Sequence, residues 1–195
     1  MIDFEKDYIL ENENVLLRPL KVTDVNKLLY FAENEQDIWQ YSLIQPKDKN
    51  SLEEYIKLAL NDRANKKSYP FIVFDKQKNK YAGSTRFYDI NSFHKSLSLG
   101  YTWYGKDFRG TKLNKNCKYL LLEFAFEKLE VERVEFKADK NNARSINAMK
   151  SIGCVEEGIL RNNFTTNYGR RDSIVLSIIK SDWQTYVKTM LFNKI

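Results

Sequence analysis

The chain is predicted to fold as a mixed α/β (α+β) domain in which a mostly antiparallel sheet of about seven strands is covered by helices. Three observations carry this. Aromatic and β-branched runs with period two alternate with segments of helical period. Their order is a strand, two helices, a three-strand meander and then strand–helix alternation, which fits an α+β or mixed α/β sheet better than a doubly wound one. The third is continuity: the 195 residues are 43% hydrophobic with only 3 prolines and 7 glycines, and no linker, repeat or low-complexity tract divides them. One domain over 1–195 is therefore expected, with 1–13 as an N-terminal extension and 182–195 as a C-terminal helix.

Val15 to Pro19 reads as a short strand, and Thr23-Asp24 as the cap of a helix through Glu33 with Val25, Leu28, Leu29 and Ala32 inward. Ser51 and Glu54 have capping-box spacing and open a second helix through about Lys66, burying Leu52, Tyr55, Ile56, Ala59 and Leu60. Tyr69 to Asp75 and Tyr81 to Ile90 form a hairpin around the polar Lys76 to Lys80. Ser96 to Tyr104 alternates, placing Leu97, Leu99, Tyr101 and Trp103 on one face and Ser98, Gly100, Thr102 and Tyr104 on the other. The strongest helical pattern follows: Leu113, Cys117, Leu120, Leu121, Phe124, Ala125 and Leu129. Val134, Phe136 and Ala138 mark a strand, Asn142 to Ile152 a short helix stopped by Gly153, and Val155 to Arg161 and Ser173 to Lys180 two more strands. Ser181-Asp182 is expected to cap the last helix.

Composition excludes several classes. No run approaches the roughly 18 apolar residues of a membrane span, and the acidic start MIDFEKDYILENEN does not read as a signal peptide. Cys117 and Cys154 are far apart and form no CxxC motif or cluster with the lone His94, so no disulfide framework or metal site is expected, and reduced cysteines fit the cytoplasm. The net charge of +6 would suit a polyanionic partner, but the charges of both signs are interleaved. Basic residues cluster only near Arg109, which favours a phosphorylated cofactor over a nucleic acid.

The informative stretch runs from Gly100 to Lys118, where a strand ends, a basic turn follows and the long helix begins. A helix start offers unpaired N–H groups and a partial positive charge, so a phosphate can dock there. Arg109, Lys112 and Lys115 add full charges that the macrodipole alone disfavours. Physics reads this as an anion site or a solvated basic helix end.

Arg109-Gly110-Thr111-Lys112-Leu113-Asn114 resembles the Arg/Gln-x-x-Gly-x-Gly/Ala acyl-CoA motif of the general-control-related N-acetyltransferase (GNAT) superfamily. Gly83 to Arg86, Gly100 to Trp103, Leu120 to Leu129, Asn142 to Ser145, Ile152 to Cys154, Glu157 to Arg161 and Arg171 to Ser173 are similar to its ribosomal-protein-alanine N-terminal acetyltransferase branch, in order over about Val15 to Trp183. The resemblance implies a sheet splayed between the fourth and fifth predicted strands with acetyl-CoA in the gap. It implies that Thr102, Trp103 and Tyr104 offer backbone groups to the pantetheine arm. The pyrophosphate would meet Phe108, Arg109, Gly110, Thr111, Lys112, Leu113 and Asn114, and Asn142 and Ser145 would contact the cofactor. The acceptor it implies is an amine, a protein N-terminus or a small molecule. Two familiar groups are replaced: Met149 stands where relatives carry a tyrosine acid, and Ser98 where they carry a glutamate base.

Amide formation from a thioester needs a neutral amine, a stabilised oxyanion and a proton for the leaving thiolate. Ser145, Tyr101 and Ser98 are the candidate catalytic residues, with Tyr104, Asp89 and His94 behind them. Ser145 is the first choice for the acid, since it follows Asn142 by one helical turn. Arg86 and Arg161 are candidates for the acceptor side, and 39–50 and 161–170 for acceptor loops. The competing reading is an acyl-CoA-binding or nucleic-acid-binding module without turnover. A homo-oligomer is left open.

Overall fold

The computed structural model describes residues 1–166 and 169–195. Eight strands form one sheet: β1 (Leu10–Glu11), β2 (Val15–Pro19), β3 (Ser68–Asp75), β4 (Lys80–Asn91), β5 (Ser96–Tyr104), β6 (Arg133–Asp139), β7 (Val155–Thr166) and β8 (Gly169–Ile179). Their spatial order is β1-β2-β3-β4-β5-β6-β8-β7. Every neighbouring pair is antiparallel except β5 and β6. The mixed, mostly antiparallel class is as expected, with one strand more than the sequence count. Two residues are too few for a periodic signal, so β1 is legible only through its pairing with β2.

The helices are α1 (Val25–Asn34), α2 (Lys49–Ala64), α3 (Leu113–Glu123), α4 (Ala143–Ser151), and a C-terminal run of α5 (Lys180–Asp182), a π-helical stretch Trp183–Val187 and α6 (Lys188–Phe192). α3 is likewise prolonged by a π-helical stretch, Phe124–Lys128. α1 and α2 cover one face of the sheet, where Trp103 of β5 packs 5.8 Å from Phe31 and 4.5 Å from Trp39, ring centre to ring centre. α3 covers the other, with Phe124 stacked over Phe87 of β4 and Phe126 on Trp183 of the C-terminal run.

Three caps differ from expectation. α2 opens at Asp48, whose carboxylate accepts from Ser51 N–H at 2.8 Å while Ser51 Oγ accepts from Asp48 N–H, so Ser51 is the third helical residue of the box and Glu54 takes no part. α5 follows Ile179 with no side-chain cap, so Ser181-Asp182 already lies inside the helix. Asp24 caps α1 with no side-chain bond to it. Its carboxylate is fully buried and takes two bonds from Arg18, at 2.8 and 2.7 Å, one from Lys27 at 2.9 Å and one from Lys21 N–H at 2.9 Å. The helix start is thereby pinned to β2 through charge pairing.

β7 and β8 form a long hairpin, so much of 161–170, expected as a loop, is strand; its residues 167–168 lie outside the described residues. The face assignment in β5 also changes. Arg86 pairs with Gly100 but Ser84 with Trp103, so Thr85 alone opposes Tyr101 and Thr102 in a β-bulge, and the alternation flips there. Leu97 and Leu99 face α3, as do Thr102 and Tyr104 beyond the bulge, while Trp103 turns to α1 and α2. A strict period of two could not place an inserted residue.

Burial raises the pKa of Asp24, but the bonds from Arg18, Lys27 and Lys21 N–H outweigh it and hold the carboxyl below its usual range. Its stabilisation is present above the unfolded pKa and is lost as pH falls through the folded one. Asp24→Ala should cost about 3–5 kcal/mol near neutral pH, because Arg18 loses its buried partner. The gap to wild type, followed by urea melts, should shrink below about pH 4.

Candidate active site

The sheet comes apart in its middle. β5 and β6 pair only at Ser96–Arg133, Leu97–Val134 and Ser98–Glu135, after which both strands continue without each other. β6 keeps its full antiparallel register with β8, from Arg133–Ile179 to Asp139–Ser173, so β5 is the strand that leaves. The bulge at Tyr101 and Thr102 lies just past the last shared pair and bends β5 away. Tyr101 holds φ at +49°, a left-handed backbone costly for a non-glycine residue. Between the parted strands lies a cavity of about 360 Å³.

One end of this cleft is the turn between β5 and α3. Gly105 N–H bonds Ala82 O, Lys106 N–H bonds the buried Glu35 carboxylate at 2.6 Å, and Phe108 buries its ring against Phe31. Arg109 donates Nε–H to Tyr104 O at 3.1 Å and faces Asp37 at 3.3 Å. Thr111 Oγ1 donates to Phe108 O and accepts Leu113 N–H, closing the turn on itself. The next first-turn N–H groups, of Asn114 and Lys115, have no intrahelical acceptor and leave the start of α3 with a partial positive charge. Gly110 sits at φ +70°, and an added Cβ would meet nothing within 4 Å, so its backbone stands open.

Phe108, Arg109, Gly110 and Asn114 line the cleft; Thr111, Lys112 and Leu113 do not. Thr111 is occupied in the turn and Leu113 is buried beneath it. Lys112 reaches away to Ile195 O at 3.4 Å, so its charge is not held over the turn.

The flanks are aromatic on the β5 side. Trp103 Nε1 donates to Tyr55 Oη, and Tyr101 lies over the Arg86 guanidinium at 4.2 Å. A Cβ at Gly100 would come within 2.9 Å of the Tyr88 ring, which meets Tyr101 edge-on, so a larger residue would push that ring aside. Arg86 is buried beneath Tyr101 rather than exposed in the cleft, and Arg161 is exposed on β7 away from it. On the opposite flank α4 brings Asn142, Ser145 and Met149 to the cavity. Asn142 Oδ1 accepts Ser145 N–H at 3.1 Å and so caps the helix.

Of the candidate catalytic residues, Ser145 and Tyr101 therefore border one cavity, 44 positions apart in sequence and on opposite flanks. Ser98 does not border it: it is buried at the last point where β5 and β6 still pair. Tyr104 and Asp89 line the cleft, whereas His94 is exposed in the β4–β5 turn. Burial pushes the thiols of Cys117 and Cys154 up to about 12, so neither is a thiolate near neutral pH. Of the 39–50 loop, Tyr41, Ser42, Leu43 and Ile44 line the outer wall, where Tyr41 Oη reaches Asn141 O and Tyr41 O accepts from Arg171.

The residue that sequence reasoning missed is Lys118. It extends from α3 into the fork of the two strands, 5% exposed, with Nζ 3.0 Å from Thr102 Oγ1 on β5 and 5.7 Å from the Phe136 ring on β6. No carboxylate lies within ion-pairing distance among the described residues, and burial lowers its pKa from 10.5 to about 8. Its signal was present: Lys118 sits three and four residues before Leu121 and Leu122, inside the apolar stripe of the helix.

Because the folded state binds this proton less tightly than the unfolded chain, wild-type stability should rise as pH goes from about 8 to about 10.5. Lys118→Met should accordingly raise Tm near neutral pH, by an increment that shrinks toward about pH 10. Thermal melts of both proteins across that range check the sign.

A profile of the family described as "Acetyltransferase (GNAT) domain" matches residues 14–155. The chain is 26% identical over 179 residues to "Probable N-acetyltransferase YjcK" of Bacillus subtilis (strain 168), covering 89% of this chain and 98% of that protein. It is 25% identical over 177 residues to "Spermidine N(1)-acetyltransferase" of Vibrio cholerae serotype O1, covering 88% and 96%. The crystal structure of a GCN5-related N-acetyltransferase from Brucella melitensis superposes with a TM-score of 0.89 at 21% identity, covering 96% of this chain and 85% of that one, which speaks for the fold. The match to residues 14–155 takes in the cleft lining from Ile38 to Ile152 and agrees with the parted strands and the open helix start, so the chain belongs to the GNAT acetyltransferase family and is an N-acetyltransferase.

Proposed function

We propose that the protein transfers the acetyl group of acetyl-CoA to a primary amine, with a protein N-terminus as the acceptor, by direct attack through a tetrahedral intermediate. The observation that carries this reading is the single cleft that starts at the open helix N-terminus of α3 and continues between β5 and β6 to the bulge. A pyrophosphate fits the first end and an acyl thioester arm the second. The residues present suit that ligand: Gly110 keeps the turn open, and the first-turn N–H groups and Arg109 supply positive potential.

In this reading the backbone from Arg109 to Asn114 holds the pyrophosphate. The parted edge of Thr102, Trp103 and Tyr104, with Phe108 at its end, guides the arm, and Asn142 and Ser145 close it from α4. Tyr101, with a hydroxyl whose pKa burial raises, is a neutral hydrogen-bonding group on the acceptor side. The branch resemblance supports a peptide acceptor, and so does the charge of the wall. Among the described residues its two carboxylates are each faced by a cation, Asp89 by Lys137 at 3.6 Å and Asp139 by Arg171 at 3.6 Å, which leaves neither free for a polyamine. Buried free cysteines suit a cytoplasmic protein.

Calorimetry with acetyl-CoA tests the donor; a panel of N-terminal peptides and spermidine, followed by release of free CoA and by product mass, tests the acceptor. Acetylated peptides without acetylated spermidine are expected, and folded protein that binds no acetyl-CoA would sink the reading. Gly110→Asn, a residue that tolerates left-handed φ, should weaken acetyl-CoA about tenfold while moving Tm by only a few degrees. A binding loss no larger than the stability loss would mean that the turn is only structural.

A further inference from the structure

We propose that Lys118 is the proton donor to the leaving thiolate, the role for which Met149 has no proton to give. This rests on the reading of the cleft as the acyl-CoA site. The geometry carries it. Lys118 Nζ lies in the fork, between Thr102 of β5 and Phe136 of β6, on a residue that lines the cavity. An ammonium has three donors, and Thr102 Oγ1 is its one hydrogen-bond acceptor among the described residues, so two N–H directions remain. Thr102 Oγ1 is itself held 2.7 Å from the fully buried Thr85 Oγ1, which fixes the amine at the bulge.

A lysine buried without a carboxylate is costly, and a hydrophobic side chain of the same length would fill the space at less cost. The groups packed against it are neutral near pH 7. Cys117 on α3 and Cys154 ahead of β7 are thiols, and beyond Cys117 the Tyr104 phenol on β5 has its pKa raised by burial well above its ordinary value. The charged groups elsewhere on the cavity wall are Arg109, Arg144, Lys137, Arg171, Asp89 and Asp139. Lys118 is therefore a cation whose natural counter-charge is one that appears only during the reaction. A pKa lowered to about 8 by burial keeps it protonated near neutrality and still acidic enough to serve a thiolate.

The step balances. The acceptor nitrogen attacks the carbonyl carbon, the C–N bond forms and the carbonyl π pair moves to oxygen. On collapse that pair returns, the C–S bond breaks and its electrons stay on sulfur, which takes a proton from Lys118 Nζ. The acceptor nitrogen sheds one proton to water, and the neutral amine of Lys118 recovers one from water. Free CoA and the amide leave.

The test uses the full chain, wild type against Lys118→Met and Lys118→Gln, each shown to be folded by thermal melt. The first readout needs no acceptor: the thiol of enzyme-bound CoA is titrated by thiolate ultraviolet absorbance. In the wild type it should ionise at a pH about one unit lower than in either variant, equivalent to about tenfold thiolate stabilisation. The second follows turnover of the acetylated peptide. In the variants kcat should fall about 10²–10⁴-fold at unchanged KM for acetyl-CoA, and the alkaline loss of rate near pH 8 should disappear. Identical thiol titrations in variants and wild type would overturn the proposal, as would a raised KM at unchanged kcat, which would make Lys118 a donor-binding group. Wild-type preference for succinyl-CoA, lost in Lys118→Met, would overturn it too, by making the ammonium a partner for an acyl carboxylate. Absence of acetyl-CoA binding to the wild type would instead count against the donor reading itself.

Discussion

The site exists because β5 and β6 pair for three residues and then separate. Two strands that part inside a sheet leave rows of backbone N–H and C=O groups facing each other across a gap, and such groups cannot remain buried without partners. A closed sheet would satisfy them and would leave no cleft. Here β6 stays paired with β8 along its length while the bulge turns β5 aside, so the gap has one continuously paired wall and one shaped by a single inserted residue. The dependence of the site on that bulge also accounts for the left-handed backbone tolerated at Tyr101.

What surrounds the gap follows from it. The turn after β5 leads into α3, so Gly110 and Asn114 at the start of that helix border the cleft while Lys118 on its inner face reaches the fork. The neighbouring packing is built to hold the turn: Glu35 takes Lys106 N–H, Phe31 braces Phe108, and Arg109 ties back to Tyr104 O. The outer rim of the cleft, at Tyr41 to Ile44, is held less by burial than by polar ties, Tyr41 to Asn141 and Arg171 to Tyr41. A braced turn at one end and a more exposed rim at the other agree with the donor and acceptor ends proposed for the cleft.

Charge is distributed along the same lines. Asp24, Arg18 and Lys27 form a closed set in which every charge has a partner, and they fix α1 to the sheet. Lys118 is buried with the Thr102 hydroxyl as its one hydrogen-bond acceptor among the described residues. The first arrangement is a structural use of burial. The second stores an unmet electrostatic demand within the cavity, which is where perturbed lysines have chemical use.

Read alone, the sequence determined the class of the fold, the order of its principal strands and helices, and the turn from Phe108 to Asn114, because each rests on local chemistry: side-chain periodicity, glycine, and a basic helix start. The family pattern determined where the sheet should open. Tertiary structure decided the rest. The flip of faces in β5 depends on an inserted residue opposite Thr85, and β1 on a partner to pair with. The cap of α2 lay at Asp48, since Ser51 can serve either end of a box and only the path of the chain selects one. Lys112, an apparent phosphate ligand by position, turns toward Ile195, while Lys118, a charge within an apolar stripe, points into the fork. A lysine carries the same charge in every sequence; its role is set by what the fold puts at the end of its side chain.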